Sequence, residues 1–183
     1  MAGGGEFGSM VHLAGRFFGA LSPAGPPAQD EAWALGMLLP GERDLWARMS
    51  GPDRRHAVAV ARQAQRLAGA PDGQRREFVA AALLHDVGKV DAGLGTFSRV
   101  AVTLGAMALG RRRLVAMGAG RRPASTLGRV CAYLQHDRLG GALLRDAGSD
   151  TFTVAWAQEH HMPAEKWSVS RHLGTALKLA DGD

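Results

Sequence analysis

The chain has 183 residues, a length that fits one domain of ordinary size. Its composition is rich in Ala, Leu and Arg and contains only 6% aromatic residues, which favours helix over strand. The single cysteine, Cys131, excludes an internal disulfide framework and favours a reducing cytoplasmic compartment. The net charge of +5 has the right sign for an anionic ligand but does not identify one.

The first residues differ in composition from the rest of the chain. Residues 1–9 (MAGGGEFGS) are typical of a vector-derived expression leader, so we take Met10 as the native start. Residues 10–44 are predicted to form a helical extension that contains a Pro-rich linker, Ser22–Gln29. Residues 45–183 would then form the main domain. The longest apolar run, Val100–Gly110, is too short to span a bilayer, so no transmembrane segment is expected.

Apolar periodicity predicts a series of helices and no strand. In chain order these helices cover residues 30–39, 41–49, 52–68, 72–87, 98–117 (as one or two helices), 127–135, 138–147, 152–161 and 169–180. Ser50 and Asp137 are predicted caps, and Gly69 and Gly88 are predicted stops. The predicted fold class is therefore all-α, a helical bundle.

Five of the seven histidines and two aspartates lie at helix ends or on inward faces. The set is His56, His85, Asp86, His136, His160, His161 and Asp181. One histidine on an apolar face is usually a satisfied core residue. Burying this many unpaired imidazoles and carboxylates would cost on the order of several kcal/mol, so a bound cation is the economical partner. Imidazole nitrogens and carboxylate oxygens are ligands for iron, manganese and zinc or, with more oxygen, magnesium.

Three segments of this pattern resemble a known signature. His56, the run LLHDVGK (Leu83–Lys89) and the run LADG (Leu179–Gly182) are similar to the H…HD…D motif of the HD superfamily of metal-dependent phosphohydrolases. The dipeptide His-Asp alone is weak evidence. The full run, with a histidine 29 residues upstream and an inward aspartate downstream, is specific. The resemblance covers about residues 45–183 and implies an HD-domain helical bundle.

Several branches of the superfamily share parts of the pattern. The HDIG and HD-GYP phosphodiesterases of cyclic dinucleotides have HDxGK, a later histidine and a paired His-His, which correspond here to residues 85–89, His136 and His160-His161. The GYP motif is absent, and 20 residues separate His161 from Asp181. Small bacterial HD proteins that cleave diadenosine tetraphosphate share the compact size but normally carry one histidine where this chain has two. The chain also resembles a family of uncharacterised small bacterial HD proteins in WAQEHHMP and ALKLADGD.

The resemblance implies hydrolysis of a phosphate ester of a nucleotide-like substrate by a metal-activated water. One ion would be held by His56, His85, Asp86 and Asp181. Asp86 would bridge to a second ion, completed by His136, His160 and His161, roughly 3.5–4 Å from the first. Iron or manganese suits such imidazole-rich sites best, with magnesium, zinc, nickel or cobalt as alternatives. Asp86 and Lys89 would be catalytic, and Lys89 would bind the phosphoryl group; the alternative for Lys89 is a solvated cation at a helix end.

A basic insertion at about residues 92–135 matches neither characterised branch. It contains seven arginines and no Asp or Glu. The run Arg111–Arg113 suits a nucleotide clamp, a nucleic-acid patch, an anionic-membrane patch or an exposed helix end. Because no nucleic-acid-reading motif is present, no specific nucleic-acid binding is expected. The alternative to an enzyme is a catalytically silent metal- or nucleotide-binding regulatory module. The sequence predicts no oligomeric state.

Overall fold

A computed structural model describes residues 22–69, 71–94, 98, 101–102, 105–106, 110–118, 120–122 and 125–182. These residues form helices, turns and loops, and none of them lies in a strand, so the predicted all-α class is confirmed. The predicted leader (residues 1–9) and the residues directly after it lie outside the described part of the chain. None of the described helices is both long and apolar enough to cross a membrane.

The described residues form nine α-helices and three 3₁₀ turns. We number them α1 (Ala28–Met37), α2 (Pro40–Arg48), α3 (Gly51–Ala68), α4 (Arg76–Leu84), α5 (Arg111–Gly118), α6 (Thr126–Leu134), α7 (His136–Asp146), α8 (Thr151–Glu159) and α9 (Arg171–Asp181). Single 3₁₀ turns are η1 (Asp72–Gln74), η2 (Val87–Asp91) and η3 (Ala164–Lys166).

Helix α4 forms the centre of the core. Every residue from Phe78 to Leu84 is at most 1% exposed. The helix packs against α3 and α8 and also touches α1, while α9 packs on α3. A helix covered on all sides carries no polar face, and the sequence FVAAALL has none. Because α4 is packed on all sides, the backbone that leads into His85 and Asp86 is held rigidly.

Most predicted helix boundaries within the described residues hold, and the predictions fail for two helices. Ser50 caps α3 by accepting a hydrogen bond from the Asp53 N–H, and Gly69 ends that helix at a φ of 69°, as predicted. The single helix predicted over 72–87 is wrong: the α-helix covers Arg76–Leu84, between the turns η1 and η2. Asp137 is not an N-cap, because α7 already begins at His136.

Gly88 serves a different purpose from the helix stop that the sequence predicts. It lies inside η2 and does not adopt positive φ. A Cβ built on Gly88 would lie 1.9 Å from the His136 carbonyl oxygen and 2.6 Å from the Gly140 nitrogen. Glycine is therefore required because α7 crosses η2 backbone to backbone. This close approach brings His136 up to the His-Asp pair.

Candidate metal centre

The seven predicted side chains come from five separate places in the chain and meet in one cluster. His56 lies in α3, His136 begins α7 and Asp181 ends α9, while the remaining four follow the ends of α4 and α8. Ring and carboxylate contacts link all seven side chains. Five of the seven are buried; His56 is partly exposed and His161 is exposed.

One half of the cluster contains His56, His85 and Asp181. The Nε2 atom of His56 lies 2.9 Å from Asp181 Oδ1, and the Nε2 atom of His85 lies 3.6 Å from the same oxygen. One potential ligand atom from each of the three residues lies within 4.8 Å of the others. Ligands about one ion with bonds of ~2.0–2.2 Å are separated by up to about twice that length. The three side chains are therefore placed to share one cation.

The other half contains His136, His160 and His161. The Nε2 atoms of His136 and His161 lie 3.2 Å apart, and potential ligand atoms of all three lie within 4.8 Å of one another. The rings of His160 and His161 have centroids 3.9 Å apart. Three imidazoles this close, with no acidic member, form a nitrogen-rich site of the kind that iron, manganese or zinc accepts.

Asp86 lies between the two halves and points one oxygen towards each. Its Oδ1 is 3.3 Å from His136 Nε2 and 3.9 Å from His160 Nε2. Its Oδ2 is 3.5 Å from His85 Nε2 and also pairs with the Lys89 ammonium. A carboxylate in this position can contact cations in both halves at once.

The histidine rings are oriented by carbonyls at helix C-termini. The last carbonyls of an α-helix have no intrahelical partner. Here the Nδ1–H of His85 donates to the Ala82 carbonyl at 2.9 Å, that of His136 to Tyr133 at 2.7 Å and that of His160 to Ala157 at 3.0 Å. Fixing Nδ1 in this way makes Nε2 the free ligand atom, as in known metal sites.

Two buried nitrogens in the cluster lack a hydrogen-bond partner. These are Nε2 of His85 and Nε2 of His160, whose residues are each 1% exposed. An unsatisfied buried polar atom costs about 1–3 kcal/mol. Both atoms face the Asp86 carboxylate at distances too long for a hydrogen bond. A divalent cation would therefore satisfy these two nitrogens better than the neighbouring side chains do.

The charges of the cluster also suit a cation. Burial opposes ionisation of Asp86, yet Lys89 and His85 hold the pKa of its carboxyl well below the usual range. Burial keeps the pKa of His160 well below its usual value, so this ring is neutral at pH 7. Burial alone would lower the pKa of His85, but attraction to Asp86 and Asp181 raises it to about 9. The same two carboxylates would hold a cation that displaces this proton.

Residues 54–115 match the HD domain family. This segment is similar to HD domains. The matched segment includes His56, His85, Asp86 and Lys89. It ends before the other members of the cluster, which are His136, His160, His161 and Asp181. Neither the search of curated proteins nor that of solved structures found a match. HD domains form a superfamily of all-α, metal-dependent phosphohydrolases, which agrees with the fold and the cluster described above.

Two further residues, which the sequence pattern does not predict, support the cluster. Lys178 lies one turn before Asp181 in α9, and its Nζ donates to the His160 carbonyl at 2.9 Å. Tyr133 supplies the carbonyl that orients His136, and its ring centroid lies 5.9 Å from that of His136. The signal in the sequence is spacing: Lys178 lies three residues before Asp181 on one face of α9, and Tyr133 lies three residues before His136, which begins the next helix.

Four other residues of types that could bind a ligand have different roles. Arg54 pairs with Glu31 at 3.0 Å, and Arg55 donates to the Ser22 carbonyl at 2.9 Å, so both hold the N-terminal segment. Trp156 is 2% exposed and belongs to the core. The side chain of His172 is 63% exposed and lies outside the cluster.

Proposed function

We propose that the chain is a phosphohydrolase or phosphodiesterase that binds two divalent cations and cleaves a phosphate ester of a nucleotide-like substrate. The observation that carries the proposal is the position of Asp86 between two groups of ligands, one oxygen towards each. His56, His85, Asp86 and Asp181 would hold the first cation, and Asp86, His136, His160 and His161 the second. The ligand types favour iron or manganese.

The cations and the protein would contribute different parts of the reaction. Bound divalent ions supply Lewis-acid activation of water and of the phosphoryl oxygens. The protein supplies five imidazoles, of which His85, His136 and His160 are held through Nδ1, and two carboxylates that are ionised at neutral pH. Rigid placement of this kind lowers the barrier because the groups need no reorientation during the reaction.

Lys89 is placed to neutralise the charge of the phosphoryl group. Its side chain is 14% exposed, and its ammonium pairs with Asp86 Oδ2. Burial would lower the pKa of Lys89, but attraction to Asp86 raises it, so the side chain stays cationic. Cations that drew Asp86 towards them would free this ammonium for a phosphate oxygen. This arrangement favours a substrate-binding lysine over a solvated helix-end cation.

The test is hydrolysis of bis-(p-nitrophenyl) phosphate by purified protein reconstituted with Mn²⁺ or Fe²⁺. We expect metal-dependent turnover that Asp86→Asn reduces by at least a hundredfold, since the bridging charge is lost. Asp137→Asn is the matched control: it makes the same chemical change at a partly exposed carboxylate next to His136. It should retain at least half of the activity.

Two outcomes would contradict the proposal. Turnover that is equal in the Asp86→Asn and Asp137→Asn variants would show that the activity arises elsewhere or from a contaminant. Metal binding without turnover of phosphodiesters, phosphomonoesters or nucleotides would instead support the catalytically silent module.

A further inference from the structure

The face of α6 that packs on η2 extends the site away from the metal ligands. Arg129 and Tyr133 are four residues apart and so lie on one face, with His136 following at the end of the helix. The Tyr133 and His136 ring centroids are 5.9 Å apart. With a rise of 1.5 Å per residue, the Cα atoms of Arg129 and Tyr133 are about 6 Å apart. Arg129, Tyr133 and His136 thus form a row leading out of the cluster.

Arg129 is held at the outer end of this row. Its guanidinium donates to the Gly93 carbonyl at 3.2 Å, and Gly93 follows η2 with a φ of 57°. The side chain is exposed, and one bond to Gly93 leaves the other N–H donors of the guanidinium for solvent or a ligand. The contact fixes the direction of the arginine without neutralising it.

Among the described residues, no carboxylate pairs with the guanidinium of Arg129. Residues 92–135 contain no Asp or Glu, so the insertion that carries α6 offers none. The acidic residue that ends η2, Asp91, is paired with Arg48 at 2.6 Å. Within the described part of the chain, Arg129 has no ion-pair partner. A positive charge fixed beside the site and left unpaired suits an anionic part of the substrate.

We propose that Arg129 and Tyr133 bind a second phosphate of the substrate, one position removed from the phosphate at the metal ligands. The substrate class is then a molecule with at least two linked phosphates, such as a nucleoside diphosphate or a longer polyphosphate. The guanidinium fork matches a phosphate oxygen pair, and the phenol can donate one more hydrogen bond. The inference rests on the proposed function, because that function puts the first phosphate at the metal ligands.

The test compares AMP with ADP as ligands of the Mn²⁺-loaded protein, by calorimetry at fixed free Mn²⁺. The wild type should bind ADP at least about tenfold more tightly than AMP, since hydrogen bonds to charged groups are strong. Arg129→Gln should bring the ratio of the two affinities close to one. Tyr133→Phe, which leaves the Gly93 contact intact, should lower the ratio by a few fold. Circular dichroism verifies the fold of both variants.

Arg113→Gln is the matched control, since it removes the same charge from an exposed position on α5 within the same acid-free stretch. It should leave the ratio unchanged. An unchanged ratio in the Arg129 and Tyr133 variants, or an equal fall in the Arg113 variant, would overturn the inference.

The two proposals fail in different ways. Hydrolysis of bis-(p-nitrophenyl) phosphate without preference for ADP would overturn the second-phosphate site alone. An ADP preference that depends on Arg129, in a protein that hydrolyses no phosphate ester, would overturn the proposed hydrolase and retain the binding site.

Discussion

At the scale of single residues, the candidate site depends on a local arrangement that occurs three times. A histidine at or just after a helix C-terminus donates its Nδ1–H to a carbonyl three residues earlier, as His85, His136 and His160 do. The arrangement satisfies a terminal carbonyl and directs Nε2 into the cluster. Helix ends that converge therefore bring these three imidazoles together, each oriented by a local hydrogen bond.

Asp86 is expected to matter more for metal content than any one histidine. Asp86→Ala should leave the protein without stoichiometric metal, because both groups of ligands lose their shared oxygen donor. His136→Ala should retain about one ion per chain. Elemental analysis of both variants after reconstitution with Mn²⁺ tests this difference. Equal metal content in the two would argue against a bridging carboxylate.

Lys178 is expected to act as a positioning residue for the second group of ligands. Its bond to the His160 carbonyl joins α9, which carries Asp181, to the end of α8. In a calorimetric titration, Lys178→Met should lower the affinity for the second Mn²⁺ ion several fold and leave the affinity for the first ion unchanged. Lys166→Met, at an exposed lysine in η3, is the control. Loss of both equivalents together would point to a general structural role instead.

At the scale of secondary-structure elements, the crossing of α7 over η2 determines whether the two groups of ligands meet. The predicted fold class and most helices follow from apolar periodicity, but this crossing has no periodic signal. The sequence predicts a helix stop at Gly88, because glycine is common after helices. The true constraint, contact with the His136 carbonyl, comes from a part of the chain 48 residues later.

Gly88→Ala should therefore disturb both stability and metal binding. A methyl group 1.9 Å from a backbone oxygen forces α7 away from η2, and overpacking of this kind costs about 1–3 kcal/mol. The free energy of unfolding should fall by this amount, and the affinity for the second Mn²⁺ ion should also fall. Gly36→Ala is the control, because a Cβ there would meet nothing within 4 Å and alanine favours helix. A Gly88 variant as stable as wild type would contradict the account of this crossing.

At the scale of the whole molecule, the cluster joins segments far apart in the chain: α3, the end of α4, the start of α7, the end of α8 and the end of α9. The sequence predicted the members of the cluster, because each combines a ligand side chain with a helix end or an inward face. It did not predict Lys178 or the carbonyls that orient the rings, since these depend on how helix ends meet. The segment that matches the HD domain family ends before His136, so the grouping of His136, His160 and His161 comes from the structure alone.

Removal of metal should destabilise the whole fold. A ligand that binds the native state at a hundred times its Kd stabilises it by about 2.7 kcal/mol, and the cluster joins five helices. A chelator should therefore lower the Tm of the Mn²⁺-loaded protein by several degrees. The Asp86→Ala variant should show a low Tm with or without chelator. A wild-type Tm that does not respond to chelator or to added Mn²⁺ would show that the cluster binds no ion tightly.

The central claim is that Asp86 joins two groups of ligands into one dinuclear centre, and the metal stoichiometry tests it most directly. Elemental analysis of wild-type protein reconstituted with excess Mn²⁺ and freed of loosely bound metal should give two ions per chain. The His160→Ala variant should give one, together with a large loss of phosphodiesterase activity. One ion per wild-type chain, with activity unchanged in His160→Ala, would contradict the claim.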